Sequence, residues 1–113
     1  MASTQTFKLI FFVPVSAAQA CKTAIFKAGA GAFPGPGGYT ECAFTTKGIG
    51  QFRPGSNANP NIGEVGKLEE VEEVKVETIC LGRDVAKRAV EELKKAHPYE
   101  EPAYEVYKLE HGF

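Results

Sequence analysis

Twice along this chain a strand-like apolar stretch is followed at once by a stretch whose apolar residues recur every three or four positions. That repeated pairing leaves few topologies open. The first pair starts with KLIFFVPV, residues 8–15, which is continuously apolar and strand-favouring, as a strand buried on both faces should be. Ser16 is then placed to cap a helix, and Ala17, Ala20, Cys21, Ala24 and Ala28 form a stripe of small residues along it. Gly29 and Gly31 end that helix. The second pair starts with LEEVEEVKVETICL, residues 68–81, where Val74, Val76, Thr78 and Cys80 alternate with Lys75, Glu77 and Ile79. A helix follows, capped by Asp84, carrying Val85, Ala86, Ala89, Val90 and Leu93 at helical spacing and ended by Pro98.

Between the pairs, AFPGPGGYT has too many prolines and glycines for helix or ladder and reads as a connection. TECAFTTKG then makes a strand, with Cys42, Phe44 and Thr46 on one face, that continues around a bend to Phe52. AYEVYKLE alternates as a fourth strand. The order is β-α-β-β-α-β, which predicts an α+β, ferredoxin-like fold: a four-stranded antiparallel sheet with two helices on one face. A chain of 113 residues suits a single domain, with residues 7–109 as its structured core, and can bury that core without metal or disulfide staples.

The second and third strands are joined by GQFRPGSNANPNIGEVGKLEE, residues 50–70. Irregular connections of this length are uncommon, and they usually bind something or are disordered. Phe52, Pro54, Pro60, Ile62 and Val65 can pack, and the stretch lacks the charge density of disorder, so an ordered loop is expected. Arg53 and Lys67 offer cations, Asn57, Asn59 and Asn61 offer amides, and the backbone offers donors, a set that suits an anion or nucleotide. Packing of the loop on a neighbouring subunit stands as the alternative. No phosphate-binding Walker motif is present, because the glycine-rich turns lead to strands and not to a helix N-terminus.

Composition excludes other classes. With 43% hydrophobic and 24% charged residues the chain is not disordered as a whole. Its 13 basic and 14 acidic residues leave no electrostatic footprint for nucleic acid or an anionic membrane. No segment approaches the roughly 20 apolar residues of a membrane span. The opening MASTQTFKLIFFVPVSAAQA loosely imitates a secretory signal, but its apolar run is short and broken by Pro14, so none is expected. Three widely spaced cysteines, Cys21, Cys42 and Cys80, suit free thiols and a cytoplasmic location. Cys42 and Cys80 fall on inward strand positions and Cys21 on the helix stripe, so burial in the core is the expected role of all three.

Two segments carry a specific resemblance. FRPGSNANPNIGEVGKLEEVEEVKVE, residues 52–77, and KKAHPYEEPAYEVYKL, residues 94–109, resemble the inserted domain of the Ngg-interacting-factor-three (Nif-three) family, in the same order. That insert is in turn similar to CutA, a trimeric ferredoxin-like family with a comparable HPYE segment, and more distantly to PII-type signalling proteins. The resemblance implies the fold of the insert, a homo-oligomer with a trimer favoured, and a cofactor, if there is one, that is a divalent metal or copper. Nif-three proteins build a dimetal site from His, Asp and Glu in segments flanking the insert. This chain has only His97 and His111, so it reads as a stand-alone insert to which the hydrolase activity of full-length relatives does not transfer.

The HPYEEP segment invites a site as well. His97 with Glu100 would ligate a divalent cation, while Arg53, Asn59, Lys67 and Tyr99 would hold a small ligand where the loop meets this turn at a subunit boundary. The structural alternative for His97 is a place at a helix C-terminus, before a turn made rigid by Pro98 and Pro102. No catalytic triad, Cys–His pair or H-E-x-x-H pattern is present. The expected function is therefore an oligomeric ligand- or metal-sensing or scaffolding module. A metal-dependent enzyme acting on a nucleotide or small phosphorylated molecule, with its site between subunits, is the alternative.

Overall fold

The computed structural model describes residues 5–113; residues 1–4 of the tail expected ahead of the core lie outside it. Strand β1 (Thr6–Pro14) leads through a single 3-10 turn, Val15–Ala17, into helix α1 (Ala18–Lys27). Strands β2 (Ala43–Phe52) and β3 (Glu69–Leu81), helix α2 (Arg83–Ala96) and strand β4 (Tyr104–Lys108) follow. All pairings are antiparallel, and the sheet order is β2-β3-β1-β4. This is the ferredoxin-like βαββαβ arrangement expected from the sequence.

Alternation sets the layers. Phe7, Leu9, Phe11 and Val13 of β1 and Val74, Val76 and Cys80 of β3 point to one side, where they join Cys21 and Ile25 of α1 and Ala86, Ala89 and Leu93 of α2 in one core. Thr78 shares that inward row, and its hydroxyl is satisfied by donating to the Cys42 carbonyl at 2.7 Å. The small residues on both helices let them lie close over the sheet. Both helix starts differ from the sequence expectation. Ser16 falls in the 3-10 turn, and α1 begins after Ala17 with no side-chain cap, because Pro14 carries the chain in from an extended conformation. Gly82, at φ +96°, occupies the cap position of α2, and its carbonyl accepts the Ala86 N–H. A side chain would strain that backbone, so Asp84 sits in the first turn instead, where its charge suits the helix dipole. Within α1, Ala20 is exposed and Cys21 and Ile25 are fully buried, so the inward stripe runs through those two.

Strand β2 corrects a second expectation. Its register sets Phe44 opposite Glu77 and Thr46 opposite Lys75, on the face of the sheet away from the helices. Phe44 is 67% exposed there. Cys42 lies just before the strand and is half-buried, with its thiol toward the Thr40 carbonyl, whereas Cys21 and Cys80 are core residues as expected. Residues 49–52 of β2 pair with residues 69–72 of β3 beyond the end of β1. The β2–β3 hairpin thus extends past the helical layer as an arm, and the molecule measures 53 × 26 × 22 Å. Among the described residues no helix is long and apolar enough to cross a membrane.

Candidate functional site

The segment after α2 is positioned by His97. The helix ends at Ala96, and His97 takes φ −74° and ψ 135°, the extended conformation that a following proline imposes. Its buried ring has both nitrogens engaged: Nδ1 accepts the Tyr99 N–H at 3.1 Å and Nε2 lies 2.7 Å from the Phe12 carbonyl oxygen. A backbone N–H can only donate and a carbonyl can only accept, so the ring is the neutral tautomer with its hydrogen on Nε2. Neither nitrogen has a lone pair left for a metal. The imidazole ties the turn to β1, a structural role other than the charge–dipole contact at a helix C-terminus considered from the sequence.

Tyr99, held in this way, turns its ring to the base of the hairpin arm. Its centroid is 5.8 Å from that of Phe52 in an edge-on arrangement, and its hydroxyl donates to Glu73 Oε2 at 2.9 Å. Burial first, then the hydrogen bond to Glu73 and the negative charge of that carboxylate, push the Tyr99 phenol well above its ordinary pKa. The other end of the Glu73 carboxylate lies over Gly50, in the space that a Cβ there would occupy. Only glycine permits this approach.

The long loop closes over the same place. Arg53 Nη1 donates to the Gly66 carbonyl at 2.8 Å, the Gly66 N–H returns to the Pro54 carbonyl, and Pro54 is buried. The Asn59 N–H donates to Glu100 Oε1 at 3.0 Å, which joins the loop to the HPYEEP turn of its own chain. Together the arm, loop and turn bound a cavity of about 550 Å³, with Phe12, Gly50, Phe52, Arg53, Glu73 and Tyr99 among its lining.

Of the residues expected to form a site, Arg53, Tyr99 and Glu100 line this cavity, Asn59 tethers Glu100, and His97 stands behind Tyr99 as a support. Lys67 is not brought to it. Its ammonium pairs with Glu64 at 2.7 Å on the outside of the loop, where both side chains are exposed. Val65, expected to pack, is also exposed. The loop's backbone donors are less available than the sequence implies, since the N–H groups of Ala58, Asn59, Gly66 and Lys67 are all bonded within the chain. Sequence reasoning passed over Phe12, Gly50 and Glu73. The signal for Glu73 was the alternation of β3, which puts it on the uncovered face with Phe12 and Gly50. Among the described residues no three His, Cys, Asp or Glu side chains are grouped so as to hold a metal ion.

Tyr99→Phe is expected to cost about 0.5–1.5 kcal/mol, the usual worth of one hydrogen bond, measured by urea unfolding near neutral pH. A raised folded-state pKa favours the protonated phenol, so this contribution is fully present below the ordinary value of 10.0 and is lost as pH rises toward the higher one. The stability gap between the two proteins should accordingly be constant up to about pH 10 and narrow above it.

No protein-family model matches the chain. The GTP cyclohydrolase 1 type 2 homolog of Bacillus subtilis is 44% identical over 103 residues, which cover 91% of this chain and 26% of that protein. The chain thus spans about a quarter of the length of the curated relatives it matches. The crystal structure of a Bacillus cereus protein related to NIF3 superposes with a TM-score of 0.77 at 36% identity, covering 98% of this chain and 27% of the other. Two structures of similar chain length share the fold at lower identity. They are the periplasmic divalent cation tolerance protein CutA of Archaeoglobus fulgidus (TM-score 0.66, 15% identity, 96% of this chain and 87% of that one) and B. subtilis GlnK in its ATP complex (0.61, 14%, 96% and 85%). The chain is homologous to a segment of about 100 residues within the NIF3-related GTP cyclohydrolase 1 type 2 homologs, and its fold is that of CutA and the PII-like proteins.

Proposed function

We propose that the chain is the ligand-binding module of an oligomer, trimeric by analogy with CutA, and that its site is the cavity between the hairpin arm, the long loop and the HPYEEP turn. The cavity carries this reading: its volume of about 550 Å³ falls in the range of roughly 300–1,000 Å³ usual for small-molecule sites, and its mixture of apolar walls and a few placed polar groups is typical of them. The GlnK structure, solved with ATP, is a precedent for a small molecule on this fold. Association is supported by the bare edge of β2, ten residues long and exposed over most of its length, and by Phe44 and Tyr107 on the uncovered sheet face. Unpaired edges and apolar faces of this kind are generally closed by association. The activity named for the full-length relatives is not part of the proposal, because three quarters of their length is not matched.

Native mass spectrometry of the protein purified without chelator tests both parts. Expected is a mass three times the chain's 12.2 kDa and a retained small molecule that is lost from Gly50→Leu, whose side chain would fill the cavity. A monomer at micromolar concentration would remove the oligomer, and equal retention by Gly50→Leu would remove the site.

A further inference from the structure

We propose that the ligand of this cavity is an organic cation, a protonated amine carried on an apolar or aromatic body. The inference rests on the cavity being the ligand site, and it follows from the balance of charge and the aromatic walls there. The Tyr99 hydroxyl gives its hydrogen to Glu73 Oε2 and has only lone pairs left to offer. Among the described residues none donates to Glu73 Oε1, which lies over Gly50. Glu100 Oε1 takes the Asn59 N–H, its second oxygen has no donor among the described residues, and Glu101 adds a third carboxylate to the lining. Against these stands one lining cation, Arg53, one of whose five N–H donors is given to the Gly66 carbonyl; the Gln51 and Asn61 amides in the lining are neutral. The loop N–H groups of Ala58, Asn59 and Gly66, which would otherwise receive an anion, are used within the chain.

The lining thus carries three carboxylates to one guanidinium, which favours a ligand that carries positive charge and donates hydrogen bonds over a phosphate or carboxylate. The walls favour the same class. Phe12, Phe52 and Tyr99 present apolar and aromatic surface, and the faces of such rings attract cations. This differs from the anion-binding role that the sequence suggested for Arg53 and Lys67.

The test uses the full chain and four probes: phenethylammonium, the neutral phenethyl alcohol and the anionic phenylacetate, which share a shape and differ in charge, and inorganic phosphate. Amide NMR titration is expected to show phenethylammonium saturating the resonances of Gly50, Phe52 and Tyr99. Phenethyl alcohol should bind more weakly by about tenfold, the worth of one charge-assisted hydrogen bond, and the two anions should not bind. Glu73→Gln should weaken phenethylammonium by a similar factor and leave the alcohol unchanged, with Glu100→Gln as the second variant should the first disturb β3. Tighter binding of phenylacetate or phosphate at the same resonances overturns the cation and leaves the ligand site standing. So does equal binding of amine and alcohol, or indifference of the amine to both Gln variants. If none of the four probes moves these resonances at millimolar concentration, the site itself is wrong.

Discussion

Replacing Phe11 by alanine is expected to destabilise the protein by about 3–5 kcal/mol, the usual cost of removing a large aromatic side chain from a packed core. Phe11 is fully buried at the centre of the sheet, with Val76 opposite it on β3 and Tyr104 opposite it on β4, and it belongs to the core shared with both helices. Its loss would open a cavity that helices on one side and paired strands on the other cannot collapse to fill. Since whole domains are stable by only about 5–15 kcal/mol, a large part of the total should disappear. The measurement is a denaturant midpoint at unchanged slope. Phe12, one residue along, is the control. It is half-buried on the opposite face and lines the cavity, so Phe12→Ala should cost clearly less in stability and more in ligand binding. Equal costs at the two positions would contradict the layering of the fold.

His97→Ala should be the next largest, with a loss of about 2–4 kcal/mol. The imidazole satisfies two backbone groups, the Phe12 carbonyl and the Tyr99 N–H, in a setting where the ring is only 6% exposed. Each buried partner left unsatisfied costs about 1–3 kcal/mol. The turn would also lose its anchor to β1, so Tyr99 should drift from Phe52 and Glu73 and ligand affinity should fall with stability. This separates the anchoring role from the metal-ligand role suggested by the sequence. An anchor costs the same whether the protein is measured with a chelator or with added divalent metal; a ligand would show its loss only when metal is present. A His97→Ala protein as stable as the parent in chelator would refute this anchoring role.

Much of the fold was legible in the sequence because its main signals are local. The alternation of Val74, Val76, Thr78 and Cys80 with Lys75, Glu77 and Ile79 follows from the pleat of one strand, whatever that strand pairs with. The helical spacing of Ala86, Ala89 and Leu93 likewise belongs to one helix. The helix starts were less legible. Ser16 and Asp84 have the chemistry of caps, but the neighbouring Pro14 and the positive φ of Gly82 set the entry of each helix by backbone geometry. Cys42 was misjudged for a related reason: the inward face of an edge strand depends on its register with the next strand, and Phe44 and Thr46 show that even positions of β2 face outward.

Local pattern alone therefore fixed the order of elements, the inward rows of β3 and α2, and the long connection between β2 and β3, whereas the continuously apolar β1 showed its inward row only once paired. The site was decided by the tertiary structure. Phe12, Gly50, Glu73 and Tyr99 belong to three different strands and a turn, and they converge only because the register sets Glu73 opposite Pro14 and Gly48 and because His97 reaches across to the Phe12 carbonyl. Glu73 lies 26 residues from the hydroxyl it accepts, and Glu100 lies 41 residues from the N–H it accepts. Periodicity records which way a side chain points along its own element. Which partners it meets depends on pairing between elements, and no local pattern carries that information.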